Sequence, residues 1–398
     1  MREDSGGSLF LSPKPYRLKS NFFRRALGGI AFLITLLAAL WLGCCVAASH
    51  VSPLREKYLA LFSITAPFAI VVNVLLFLGW GFFANRKWRV VVPLIALVCS
   101  YPLIKSVFGL SLLSRQRMSP APDRLKVMSW NVHGLGIFDR PSNSTTDDRI
   151  LEKIRSEAPD ILCLTEFYTV YNNALKPYST AIMQACGYKE FRFKYDNTLG
   201  TKIYLGVAIF CRYPISDYKV YSLHRRDDGQ DDVQLMQYDV HLPDKRIVRV
   251  FFTHLQSFLL SDGEKTYLEE VKHRDRDMAV DQSRSYLRRF GEAYVKRAIQ
   301  ADSAARIIAK SPYPVLLCGD FNDLPGSYTY TTMRMGLRDA FAERGLGLGR
   351  TYNLFSPTLR IDYVFYDPDL LRIIGFRSPR TTLSDHNPVI VNFELKGK

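Results

Sequence analysis

The stretch VLLCGDFND, residues 315–323, decides how this chain is read. Val315–Cys318 is a short apolar run that predicts a buried strand, and Asp320 and Asn322 follow it at once. Polar residues that do chemistry are often delivered to a rim by a rigid strand. The arrangement recurs outward along the chain: Asn131 follows KVMSW, Glu166 follows ILCLT and His254 follows VFFT. Asp362 opens DYVFY, and Ser384, Asp385 and His386 immediately precede PVIVNF. Leu125–Trp130, Leu205–Cys211 and Ile247–Thr253 also read as strands. Asp147–Glu157 reads as a helix with Ile150, Leu151 and Ile154 on one face, and the charged stretch 264–310 has helical periodicity through Tyr286, Leu287, Phe290, Tyr294, Ala298 and Ile308. Short strands with interspersed helices predict a layered α/β or α+β domain.

Each polar residue alone has a plain structural reading. An Asp after a strand commonly caps a turn or helix. Asn131 could shape a turn before His133-Gly134, His254 could be a satisfied core histidine, and Asp362 could pair with Arg360. As a set they match one chemistry. Phosphodiester hydrolysis needs a hard cation held by carboxylates, a base that orients water, and stabilisation of the leaving oxygen. Glu166, Asp320 and the two histidines His254 and His386 supply those types, and Asn131 and Asn322 add neutral hydrogen-bonding groups.

Seven segments carry a resemblance: SWNVHGL (129–135), DILCLTEF (160–167), GVAIFCRYPI (206–215), THLQS (253–257), CGDFND (318–323), RIDYVF (360–365) and SDHNPV (384–389). In this order the set resembles the endonuclease/exonuclease/phosphatase superfamily, over about residues 125–398. The resemblance implies a DNase I-like, four-layer α/β (α+β) β-sandwich and a phosphoester hydrolase that uses Mg²⁺, with Mn²⁺ as the alternative. It implies Glu166 as principal metal ligand, Asn131 helping to hold the metal or phosphate, and Asp385 either near the metal or supporting the histidine region. Asp320 would orient and activate water, and Asn322 would position the transition state. His386 would contact the scissile phosphate with Asp362 fixing its tautomer, and His254 matches the histidine of the nuclease and sphingomyelinase members. Arg212 and Ser384 would support the site. His133 departs from the family pattern, where some members carry an acidic residue or Arg, so substrate contact and a structural role both stay open for it.

Ahead of this domain lie three apolar runs, Ala26–Ala48, Tyr58–Ala84 and Arg89–Leu110, the last weaker because it contains Lys105. Each has about the 20 residues that a helix needs to cross a bilayer. The expected organisation is a basic tail (1–25), a three-helix transmembrane region (26–110), a linker with Pro120 and Pro122 (111–124) and the hydrolase domain (125–398). Charge fits that division. Residues 1–118 hold 14 Lys/Arg and 3 Asp/Glu, and residues 119–398 hold 39 and 35, so most of the net +15 sits beside the apolar runs. This favours a topological signal over polyanion binding. The tail and the loop with Arg86, Lys87 and Arg89 are the more basic, which predicts that both are cytoplasmic and that three crossings place the domain outside the cytoplasm; if the third run does not span, the domain faces the cytoplasm. The seven cysteines show no CxxC or Cys/His spacing, which argues against zinc.

The fold does not fix the substrate. A nuclease, a sphingomyelinase-like lipid phosphodiesterase and a phosphomonoesterase of small esters compete, so the substrate partner is a lipid headgroup, nucleic acid or small phosphate ester. The modest +4 of residues 119–398 weakens the nuclease, although Arg225-Arg226, Arg284 and Arg288-Arg289 form basic patches. A catalytically inactive membrane-anchored binding module is a further class, and the intact set Glu166, Asp320, Asn322, Asp385 and His386 argues against it. No protein partner is expected, and the 264–310 stretch is the candidate lid.

Overall fold

The computed structural model describes residues 18–83, 86–111, 123–136, 146–170, 178–199, 203–225, 231–257, 276–353 and 358–397. Most of the basic tail, most of the proline-bearing linker, Arg226, and residues 264–275 of the candidate lid lie outside the described residues.

The apolar runs form α1 (Leu18–Ala48), α2 (Phe62–Phe83), α3 (Val91–Cys99) and α4 (Tyr101–Val107). Two helical stretches, Ala26–Ala48 and Leu59–Phe82, are long and apolar enough to cross a membrane. The third run differs from the expected straight span: its two helical parts, Lys87–Cys99 and Tyr101–Val107, meet at 63°. The break falls at Ser100 (φ −91°, ψ 6°), and Pro102 just beyond it has no N–H to continue the ladder. Leu42, Cys45, Ala66, Ala69 and Ile70 make the seam between the helices, while Leu27, Leu40, Leu75 and Phe82 stay exposed on the outside. Small seam residues let helix backbones approach closely.

The remainder is a four-layer sandwich. One sheet has the order β13 (Leu371–Arg377), β14 (Val389–Leu395), β2 (Arg124–Asn131), β3 (Ile161–Val170), β5 (Ile203–Cys211), β4 (Glu190–Leu199). The other has β10 (Arg338–Asp339), β12 (Asp362–Tyr366), β9 (Val315–Asp320), β8 (Ile247–His254), β7 (Asp231–His241), β6 (Ile215–Arg225). Helices α5 (Thr146–Glu157) and α6 (Tyr178–Cys186) supply Ile150, Ile154 and Ile182 to the core outside the first sheet. The long α7 (Arg276–Ile308) and α8 (Tyr328–Arg334) cover the second with Ala301, Ala304, Ile308, Tyr330 and Met333. The second half of the candidate lid is thus a packed helix of the outer layer.

Strand alternation explains why so many strands are apolar on both faces. Leu125 and Val127, Val250 and Phe252, Leu316 and Cys318, and Val364 and Tyr366 fill the space between the sheets. Their neighbours Met128, Phe251, Leu317 and Phe365 face the helices. The rows that line the space between the sheets turn polar at one end: continuing the same parity reaches Asn131, His254, Asp320 and Asp362.

The apolar helices join this sandwich through specific contacts, ahead of the expected linker. β1 (Gly109–Leu110) pairs antiparallel with β11 (Leu346–Gly347). Ser63 Oγ lies 3.1 Å from the Tyr294 hydroxyl, and Lys105 bonds Glu343 at 2.7 Å. Arg360 donates to the Ser106 carbonyl at 2.7 Å, and its other end meets Asp339 at 2.9 Å, so it does not pair with Asp362.

Candidate active site

The two parallel strand pairs, β2–β3 and β8–β9, bring their carboxyl ends to the same end of the sandwich. There His254 is in register with Asp320, and Asp320 with Asp362. The loop before β14 carries Ser384, Asp385 and His386 to the same place. β8 and β9 approach closely here: Gly319 has φ +146°, and a Cβ on it would lie 1.9 Å from the Thr253 carbonyl oxygen.

Glu166 reaches this cleft against strand alternation. In a regular strand it would point with Leu162 and Leu164 into the helix-facing core. A bulge between Leu164 and Phe167, with Glu166 at φ +51°, turns the carboxylate into the cleft. Asn322 (φ 50°) and His133 (φ 44°) share this sparsely populated backbone conformation, and such conformations cluster at functional sites.

The amide of Asn131 ties the carboxylates together, donating to Glu166 Oε1 at 2.9 Å and Asp320 Oδ2 at 3.2 Å. Its own oxygen accepts from the His133 N–H. His133 Nδ1 lies 3.4 Å from Glu166 and 3.6 Å from Asp385. His254 Nε2 lies 3.9 Å from Glu166 and 3.6 Å from Asp320, and His386 Nε2 lies 3.7 Å from Asp320. These last three separations exceed hydrogen-bond length, so the groups face common space without bonding one another. Asp320 Oδ1 accepts from the Asn322 N–H, and the Asn322 amide donates to the Leu255 carbonyl. Ser384 Oγ donates to the Asn131 carbonyl and accepts from the His386 N–H.

His386 is buried, and its Nδ1 donates to Asp362 Oδ2 at 2.8 Å, which leaves Nε2 to face the cleft. Burial by itself would lower its pKa, but the charges of Asp362 and Asp320 win and push it up to about 10. It is therefore a cation at neutral pH. Asp320 moves the other way. Burial and the neighbouring Asp362 charge push it up to about 6, against the opposing pull of His386 and His254. Burial would also raise Glu166, yet the hydrogen bond from His133 and the His254 charge hold it at about 2.

Among the expected residues, Asn131, His133, Glu166, His254, Asp320, Asn322, Asp362, Ser384, Asp385 and His386 converge. Arg212 does not. It follows the end of β5, and that end pairs with the start of β3, where Arg212 meets Asp160 at 3.6 Å. Five residues of strand, or about 16 Å, separate that point from Glu166. Sequence reasoning missed four supporting groups. Thr351 Oγ1 accepts from the N–H groups of Ile361 and Asp362, and the Tyr352 ring packs against His386, tilted by 57° with centroids 4.8 Å apart. Buried Arg297 pairs with Asp323 at 3.2 Å and steadies the loop after β9. Asn387 exchanges hydrogen bonds with Asn353. Asn387 and Asp323 sat inside quoted motifs, whereas RTYNLF offered no signal for Thr351 or Tyr352.

The donor set fits a hard divalent ion. Carboxylate and amide oxygens from Glu166, Asp320, Asp385 and Asn131 line one cleft. Asp320, Asp362 and His386 also offer ligand atoms within 4.8 Å of one another. There the Asp362–His386 hydrogen bond already occupies two of the three, so a proton relay fits that trio better than a metal cage.

Comparison with known proteins adds the following. The sequence pattern of the Endonuclease/Exonuclease/phosphatase family matches residues 128–386. That of a domain of unknown function, DUF8431, matches residues 28–107. A UPF0294 protein of Vibrio parahaemolyticus is 29% identical over 96 residues, 24% of this chain, and the match spans 33% of that relative's length. Among solved structures, an endonuclease/exonuclease/phosphatase from Beutenbergia cavernae is 21% identical with TM-score 0.48, over 69% of this chain and 72% of that one. The human Nocturnin catalytic domain with bound sulfate is 17% identical with TM-score 0.48, over 70% and 97%. An endonuclease/exonuclease/phosphatase from Bacteroides vulgatus is 18% identical with TM-score 0.48, over 69% and 99%.

Proposed function

Because this chain belongs to the endonuclease/exonuclease/phosphatase family, we propose that it is a membrane-anchored, Mg²⁺-dependent hydrolase of phosphoester bonds of the phosphodiesterase type. The observation that carries this reading is the convergence of Glu166, Asn131, Asp320, His254 and the Asp362–His386 pair in one cleft. Glu166, Asn131 and Asp385 would hold the ion, which when bound would neutralise phosphate oxygens. Asp320, titrating near 6, accepts a proton from water close to neutral pH. Asn322 and Asn131 fix the two oxygens of that carboxylate in place. Cationic His386 presents Nε2–H to a phosphate oxygen, and Asp362 keeps it charged. His254 and His133 flank the entrance, each partly exposed.

The helices α1, α2 and the α3–α4 pair are read as the membrane anchor, with the domain on the extracytoplasmic side by the placement of basic residues. Residues close to the site support a membrane-borne substrate over nucleic acid. Leu324 and Pro325, just after Asn322, line one small pocket together with Ser63, Ile64, Pro67 and Val107 of the apolar helices.

The test uses the full chain in detergent or bilayers with Mg²⁺, offered a water-soluble phosphodiester, sphingomyelin and plasmid DNA. Turnover that vanishes with chelator and in Glu166→Ala is the expected result. Mg²⁺ should also raise the thermal midpoint of the wild-type protein and leave Glu166→Ala unmoved, because a ligand stabilises only the state that binds it. Unchanged turnover in Glu166→Ala would refute the assignment.

A second prediction concerns pH. Asp362 raises the His386 pKa, so Asp362→Asn should return it toward the ordinary imidazole value of about 6.5. The cation is lost as pH rises through that value. The alkaline limb of the rate profile should therefore move down from near pH 10 in the wild type to near neutrality in Asp362→Asn. An alkaline limb at the same pH in both proteins would count against the role given to His386.

A further inference from the structure

A cavity of about 660 Å³ reaches Arg350, two residues before Tyr352. Its floor is apolar: Phe341 and Phe376 meet edge to face with centroids 5.5 Å apart, and Leu348 adjoins them. Its rim is basic, formed by Arg350, Arg377 and Arg380, and no lining residue among the described ones is acidic. Arg377 is neutralised by Glu157, 2.5 Å away. Arg350 donates to the carbonyl oxygens of Tyr352 and Asn353 and has no ion-pair partner among the described residues. Arg380 is exposed and has no ion-pair partner among the described residues. Two guanidinium charges thus face an apolar floor.

Two further observations place this cavity between the helices and the site. Leu348 also packs with the α1–α2–α4 cluster around Leu42, Ala66 and Val107. At the mouth, Leu346 pairs with Leu110 of β1, and both are largely exposed. On the inner side, Arg350 bonds the backbone of Tyr352, whose ring packs at a tilt against His386.

We propose that this cavity binds an anionic phospholipid of the surrounding bilayer, with its phosphate on Arg350 and Arg380 and the start of its acyl chains on the leucine-lined mouth. The inference rests on the reading of the N-terminal helices as a membrane anchor. Planar guanidinium groups suit phosphate oxygens, and a volume of this order suits a headgroup with its glycerol. A free inorganic anion would use the arginines and leave the apolar floor and exposed leucines without a purpose. The bound lipid would hold the catalytic cleft at the headgroup layer.

Native mass spectrometry of the full chain in detergent, titrated with phosphatidylglycerol or phosphatidylcholine, tests this. One phosphatidylglycerol should be retained per chain in preference to phosphatidylcholine. Retention should fall about tenfold in Arg380→Glu, through charge reversal, and should also weaken in Leu346→Asn. Both positions are exposed, so both variants should keep the wild-type thermal midpoint and the wild-type rate on a water-soluble phosphodiester. Equal retention of the two lipids, or no effect of Arg380→Glu, would overturn the proposal. Complete displacement by millimolar inorganic phosphate together with indifference to Leu346→Asn would overturn it in favour of a soluble anion. Absence of turnover on the soluble ester in the wild type would fault the hydrolase reading and leave the lipid measurement standing by itself.

Discussion

Asp320→Asn should lower turnover by about 10²- to 10⁴-fold, the range for loss of a positioned general base, and yet make the metal-free protein more stable at pH 8. The Asp320 side chain is 1% exposed, and its carboxyl titrates near 6 against an ordinary 3.8. The unfolded chain therefore releases this proton at lower pH than the folded one. Stability contributed by the protonated form is present below about pH 4 and is lost as pH rises toward 6. Above that the ionised carboxylate destabilises the folded state, because burial and the Asp362 charge oppose it. Asparagine keeps the shape without the charge. Urea unfolding of both proteins at pH 4 and pH 8, with chelator, checks this. The variant should gain at pH 8 and gain little at pH 4. Equal stability at pH 8 would mean that the wild-type carboxylate carries no burial penalty.

Arg360→Met should destabilise the full chain by about 3–5 kcal/mol, the cost of stranding one member of a buried ion pair. Arg360 is 1% exposed, meets Asp339 at 2.9 Å, and lies over the Phe341 ring with 4.4 Å to its centroid. Its loss also frees the Ser106 carbonyl at the end of α4. Arg360 stands two residues before Asp362, so turnover on a soluble ester should fall with stability. The double variant Arg360→Met, Asp339→Leu should regain much of the loss, because replacing a buried pair by apolar groups is often close to neutral. Thermal unfolding in detergent measures both. A single variant within about 1 kcal/mol of wild type, the size of an ordinary substitution effect, would show that the pair carries no such weight.

The sequence marked the strand ends well because apolar runs and polar stops are local. The row Leu316, Cys318, Asp320 already states which face Asp320 shares, and the same holds for Asn131, His254 and Asp362. Glu166 was found through its motif; the bulge that turns it inward leaves no periodic trace. Arg212 was misplaced because a run such as GVAIFCRYPI does not reveal strand direction. β5 is antiparallel to β3, so its last residues leave at the far end. Thr351, Tyr352 and Arg297 act through contacts distant in sequence, and no local pattern records them. The third apolar run looked continuous because composition does not show a bend, although Pro102 marks where it falls. The candidate lid or substrate-selecting element was placed at 264–310 because it closely follows His254; its C-terminal part packs into the core through Ala301, Ala304 and Ile308.

The central strand β2 has one neighbour that is synthesised soon after it, β3, and one that is synthesised last, β14. About 260 residues separate the two partners of that edge, which at ribosomal speeds is a wait of tens of seconds. During that wait β2 offers an open edge, and Asp362 and His386 have not yet emerged, so the nascent chain is both exposed to mispairing and chemically inert. If the helices at the front are already lodged in a bilayer, the growing chain is held apart from its copies while it waits. On the proposed reading the cleft is complete only once Asp362 and His386 have been made, well after the apolar helices.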